Sequence, residues 1–207
     1  MVDAETAEPN EISRDLISIV ETNDELVWRD ENKRELLVVT WTSWDGYDNL
    51  VGKTMVVSRK VWVTTVPELK NISKDNRLTK GAPKAMTLRL EQLMGLPPNN
   101  GKDRFVEIWV SPEDLFRPSP DPEITDREAE LDFPRPKRLI TISNMHILWF
   151  NDLKGKSYGK DGYPWTRLGY TYDWGNKKNE VGLSEFVILE GAKVTIHSVT
   201  KTIDYCK

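Results

Sequence analysis

Residues Tyr163–Trp174 read YPWTRLGYTYDW, five aromatic rings in twelve residues with one Arg and one Asp among them. No other stretch is so dense in groups that are costly to expose and able to bind something. Read as a strand, the segment divides by parity, because successive side chains point to opposite faces. Pro164, Thr166, Leu168, Tyr170, Tyr172 and Trp174 share one face, which is apolar and reads as the core side. Trp165, Arg167, Gly169, Thr171 and Asp173 share the other, which is mixed. The alternation predicts Leu168 and Tyr170 in the core and Trp165 at least partly exposed. Gly169 inside a strand marks a bulge or a close approach by a ligand or another backbone. Two readings follow. The segment is either a central strand packed on both sides, or the floor of a groove. In the groove, Trp165 and Tyr172 stack while Arg167 and Asp173 supply directional hydrogen bonds.

The chain around it has 207 residues, 38% hydrophobic and 30% charged, the composition of an ordinary soluble globular protein. Eight Trp point to a core or groove rich in flat rings. The net charge of −4 hides an asymmetry. Residues 1–25 hold eight acids and one base, and residues 113–132 hold eight acids and two bases. The rest of the chain has 26 bases against 17 acids. Those bases are scattered and no nucleic-acid module appears, so acidic segments folding back on a basic body is the simpler account. Cys206 is the one cysteine, which excludes an intrachain disulfide and any Cys-based metal site. His146 and His197 are too few for a His cluster and read as structural. Neither a membrane-spanning run nor an apolar signal core is present, so a cytoplasmic protein and an exported one with its leader removed both remain open. The oligomeric state is also open.

Taken in order, residues 1–9 read as a disordered tail ahead of a globular domain over 10–207. Asn10 fits an N-cap for a helix carrying Ile12, Leu16, Ile19 and Val20. Strands are expected at 25–29, 34–42 and 53–64, the last with a break at Ser58. Pro67 opens a short helix through Leu69, residues 70–84 read as polar loop, and Thr87 caps a helix ending at Met94-Gly95. Arg104–Val110, RFVEIWV, is a strand, and Ser111-Pro112-Glu113-Asp114 starts a helix that Pro118 stops. Residues 117–136 carry five prolines and read as an ordered acidic excursion pinned by Ile124, Leu131 and Phe133. Residues 138–151 fit helix or strand equally, and two last strands are expected at 184–190 and 193–205. The expected fold is α+β: a β-rich single domain, its twisted antiparallel or mixed sheet tending to a barrel, with three or four short helices.

No phosphate-binding loop, dinucleotide fingerprint, GxSxG or HExxH motif is present. Asp121, Glu123, Asp126, Glu128 and Glu130 could offer oxygens to calcium, but the spacing is not that of an EF-hand loop. No other cofactor or metal is expected. Asp173 and Glu185, with Asp161, are the candidate acid and base of a glycan hydrolase beside stacking rings. Glu185 stands six residues before Gly191, an arrangement that resembles the catalytic-glutamate strand of ADP-ribosyltransferases. Position 183 is Leu where that family has a second acid, and no Ser-Thr-Ser strand is found, so the activity is not carried over. The expectation is a non-enzymatic binding module with an aromatic groove for a glycan or peptide. A hydrolase on the same groove and a purely structural domain are the alternatives.

Overall fold

The computed structural model describes residues 2–74, 83–134, 141–159 and 162–205. Among the described residues nine strands are formed: β1 (Leu36–Thr42), β2 (Thr54–Val56), β3 (Val61–Thr65), β4 (Arg104–Val110), β5 (Leu115–Phe116), β6 (Tyr170–Tyr172), β7 (Val181–Ser184), β8 (Phe186–Ile188) and β9 (Lys193–Lys201). Five helices accompany them among the described residues: α1 (Val2–Glu5), α2 (Val66–Lys74), α3 (Pro83–Leu93), α4 (Asn144–Ser157) and α5 (Thr202–Tyr205). Seven strands make an antiparallel sheet in the order β2-β9-β4-β1-β3-β8-β5, and β6 and β7 form a separate ribbon. The fold is α+β, and the sheet stays open rather than closing into a barrel. Its outer strands β2 and β5 do not pair with each other.

The central strand β1, LLVVTWT, is apolar at both parities because both faces of the sheet are covered. Leu36 and Val38 join Val106, Ile108, Val194 and Ile196 on one face, under chain from Ile17, Ile19 and Leu26. Leu37, Val39 and Trp41 face the other way with Phe105, under Leu69 of α2 and Leu90 of α3. Helices α2 and α3 therefore lie on one side and irregular chain on the other.

That irregular chain corrects two expectations. Residues 12–20 form no helix. Leu16, Ile17, Ser18 and Ile19 are all buried, which no one-sided amphipathic helix could achieve. The segment instead runs beside the Pro-rich excursion, with Leu16 N–H donating to Arg127 O and Ile19 N–H to Ile124 O. The opening residues, read as a tail, are placed as α1, with Ala4 buried and the Glu5 carbonyl accepting from Arg167. Within the described part of the excursion, Ile124, Leu131 and Phe133 reach three different neighbours. Its main anchor is another residue, Arg117, with no exposed surface. Arg117 donates to the carbonyls of Glu123, Asp126 and Ile17 and so stitches the excursion to the N-terminal segment.

Elsewhere the differences are of extent. The break expected near Ser58 separates β2 from β3, and they pair with different partners, β9 and β1/β8. The helix after Pro67 runs to Lys74, α3 begins at Pro83 before Thr87, and Gly95 closes α3 at φ 61°. The strand expected at 25–29 is a lone bridge, Trp28 with Leu36. Ser111 caps a single 3-10 turn, Pro112–Asp114, and not a longer helix. Residues 144–157 are helical, capped by Ser143. His146 Nε2–H donates to the Ser119 carbonyl at 2.8 Å from within a nest of rings. The strands expected at 184–190 and 193–205 are shorter: β8 ends at Ile188, and β9 gives way to α5. Among the described residues no helix is long and apolar enough to cross a membrane. Asp161 and Cys206 lie outside the described residues.

Candidate functional site

The site begins with a fault in the sheet. Strands β1 and β3 pair at Val38–Thr65 and Val39–Thr64 and at no further position. Continuing that register would set Thr40 against Val63, Trp41 against Trp62 and Thr42 against Val61. Instead Thr40–Thr42 pair outward with β4, and Val61–Val63 pair outward with β8. The two halves of the sheet splay apart, and a cavity of about 470 Å³ occupies the wedge.

Its walls are aromatic. Trp41 and Tyr47 come from the β1 side, Trp62 from β3, and Tyr163, Trp165 and Tyr172 from the stretch that leads into and through β6. Exposure grades along it: Tyr163 is 52% exposed and Trp165 only 5%. Trp165 meets Trp62 edge-on at 6.1 Å and Phe150 of α4 at 5.0 Å, so α4 braces the ring from behind. Arg59, Lys60 and Lys102 bring positive charge to the lining. Lys102 Nζ donates to the Trp41 carbonyl at 2.8 Å. Burial, then the neighbouring Arg59, lowers the pKa of the Lys102 ammonium below that of a free lysine.

Glu185 is the one carboxyl among the described residues of the lining. It stands where the chain leaves β7 for β8, passing from the small ribbon to the main sheet. Its Oε2 is shut off from solvent with no hydrogen-bond partner, and burial pushes its pKa up to about 8. Glu68, held by the neighbouring Ser184, gives a contrast. Ser184 donates through both N–H and Oγ to Glu68 Oε1, and Thr64 Oγ1 donates to Glu68 Oε2 at 2.9 Å. Glu68 is likewise raised by burial, but its bonds make it a pin between α2, β3 and β7. A satisfied buried acid is structure, and an unsatisfied one asks for another explanation. The indole Nε1–H of Trp165 is a second orphaned buried polar group on this wall.

The aromatic stretch itself departs from the straight strand expected. Only Tyr170–Tyr172 is strand, Trp165 bridges back to Thr171, and the chain reverses between them. Arg167 at φ 64° and Gly169 at φ 72° make that reversal in the left-handed region. Parity therefore does not carry through the turn. Leu168 and Tyr170 are core as expected, but Trp165 is buried as well, which corrects the exposure expected of it. The close approach signalled by Gly169 is real, and its cause is Arg117: a Cβ at Gly169 would lie 2.7 Å from Arg117 Cδ.

Of the four residues named as ligand contacts, Trp165 and Tyr172 line the cavity, while Arg167 and Asp173 are not part of its lining. Arg167 and Asp173 do not pair with each other. Arg167 Nη2–H donates to the Glu5 carbonyl at 2.5 Å, and its guanidinium lies 5.7 Å from the Tyr158 ring. Asp173 takes a bidentate bond from Arg89 of α3, at 2.8 and 2.6 Å, with 3% of its side chain exposed. A double-mutant cycle between Arg89 and Asp173 is expected to show coupling of about 2 kcal/mol, and a cycle between Arg167 and Asp173 close to none. Chemical denaturation of the four variants measures both. Trp41, Tyr47, Trp62 and the three cations were not singled out by sequence, because nothing local records that β1 and β3 part after two rungs. Among the described residues no group of three or more His, Cys, Asp or Glu side chains is placed to hold a metal ion. Compared with family models, curated proteins and solved structures, the chain matches none of them.

Proposed function

We propose that this protein is a non-enzymatic binding domain that takes a glycan in the cavity between the splayed strands. The observation that carries this is the wedge itself: a sheet opened after two rungs, its gap walled by aromatic rings. A volume of about 470 Å³ lies within the range of pockets for small ligands. Flat rings suit the apolar faces of sugars, and a few polar groups among them give direction. The hydrolase alternative needs two carboxyl groups across the scissile bond. Here Glu185 stands on the wall while Asp173 is spent on Arg89, which supports binding over hydrolysis.

A peptide is the second reading, favoured by the same fault. Thr40–Thr42 and Val61–Val63 remain extended with no strand between them, and such edges can accept an added strand. A glycan array and an array of extended peptides, both read by binding, separate the two. For the ligand selected, Tyr163→Ala and Trp62→Ala are each expected to weaken affinity about tenfold, the loss of one stacking surface. Leu148→Ala, on the exposed face of α4 and away from the lining, should leave it unchanged. A ligand indifferent to both ring truncations would place binding elsewhere, and no hit on either array would remove the binding reading.

A further inference from the structure

Resting on the binding reading above, the geometry points to an anionic ligand for this cavity, a sugar or ring bearing a carboxylate or phosphate group that Arg59 and Lys102 receive. Three cations line the cavity against one carboxyl among the described residues. Arg104 in this same fold is compensated by Asp48 and Asp103. Arg59 has no such partner: it is exposed and makes no hydrogen bond or ion pair to the described residues. Lys102 is bound to a neutral carbonyl and to no acid, which leaves its charge uncompensated.

The two cations are also near enough to act on each other. Arg59 lowers the Lys102 ammonium, after burial, and opposes the upward push of burial on the Tyr47 hydroxyl. Arg59, Lys102 and Tyr47 all line the cavity, with Lys102 held to the Trp41 carbonyl near the end of β1. Like charges gathered without an anion between them are costly, and an anionic group placed there removes the cost. A guanidinium beside an ammonium fits carboxylate and phosphate oxygens, with Arg offering a planar fork and Lys a point charge. The single acid does not cancel this field, because burial holds Glu185 in its neutral form up to about pH 8. Arg59 is exposed and Lys102 half-buried, while Trp165 and Leu183 are buried, so a ligand would enter ring first with its anion outermost.

Three fluorescent probes test this: 4-methylumbelliferyl glucuronide, the matched glucoside, and 4-methylumbelliferyl phosphate. Each is titrated into the full chain at low salt and again at about 0.3 M salt. The glucuronide is expected to bind at least tenfold tighter than the glucoside, and the advantage should shrink several-fold with salt. Arg59→Gln, at an exposed position that should not disturb folding, is expected to remove most of that advantage, weakening the glucuronide several-fold more than the glucoside. Tight binding of the phosphate with a weak glucuronide would assign the anion to a phosphoryl group. The reverse would assign it to an acidic sugar. Equal affinities for glucuronide and glucoside, unmoved by Arg59→Gln, would overturn the anionic preference and leave the cavity as a neutral binding site. Failure of both anionic probes to bind would overturn it too, while a neutral ligand from the glycan array would still uphold the binding reading.

Discussion

Replacing Arg117 with Ala is expected to lower the folding free energy by about 4 kcal/mol. The side chain has no exposed surface, and its removal would leave the carbonyls of Glu123, Asp126 and Ile17 without their donor. It would also empty the space beneath Gly169, where the Arg117 stem passes, and remove the guanidinium that lies 5.2 Å from the Phe186 ring. Arg117→Lys should recover little of the loss, because an ammonium cannot span three carbonyls as a planar fork does. Urea denaturation at neutral pH measures both variants. The excursion over 118–134 should become the first site of proteolytic cutting in Arg117→Ala, since that residue ties it to the N-terminal segment. A loss under about 1 kcal/mol would mean that water replaces the guanidinium at no cost, and that the excursion is held by its apolar residues alone.

The second large effect concerns pH. The Glu185 carboxyl has its pKa raised by burial to about 8, against an ordinary value of 4.5. Below pH 4.5 it is protonated in both the folded and unfolded states and contributes no pH dependence. Between about 4.5 and 8 the unfolded chain releases the proton while the folded chain keeps it, so stability falls as pH rises. Above about 8 both states are ionised and the loss is complete. Glu185→Gln keeps the shape and removes the titration. It is therefore expected to be more stable than the parent by about 3 kcal/mol at pH 7 and nearly equal to it at pH 4. Glu68 is raised in the same direction by burial, so the parent's curve should not become flat in the variant. The difference between the two curves isolates Glu185. A difference that does not change with pH would show that Glu185 ionises in the folded protein near its ordinary pKa.

Arg104–Val110 reads as a strand from its composition, and it is one, because a run of β-branched and aromatic residues in a two-sided sheet needs no distant information. The α+β class, the end of α3 at Gly95 and the break between β2 and β3 were legible for the same reason, since turn and cap residues act locally. Leu16 to Ile19 were misread because their helical spacing was a coincidence of burial on all sides. That burial is supplied by an excursion a hundred residues away. Trp165 was misread because alternation holds only while the chain stays extended, and the chain turns at Arg167 (φ 64°) and Gly169 (φ 72°), the latter read as a bulge or close approach within a continuing strand. The cavity could not be read at all. Its existence depends on β1 and β3 separating after Val39–Thr64, a choice made by the outward pairings of each strand. What the sequence did offer was the density of rings over Tyr163–Trp174, which supplies Tyr163, Trp165 and Tyr172, three of the six aromatic walls.

The central claim is that a ligand occupies that wedge. Its most direct test is a ¹H–¹⁵N titration of the indole N–H signals with the tightest ligand from the array, since eight Trp report from different parts of the fold. Trp41, Trp62 and Trp165 line the cavity and are expected to shift together with one dissociation constant. Trp28 and Trp109 are not in its lining and should stay in place. Shifts confined to Trp28 or Trp109, with Trp62 and Trp165 unmoved at saturation, would contradict the account.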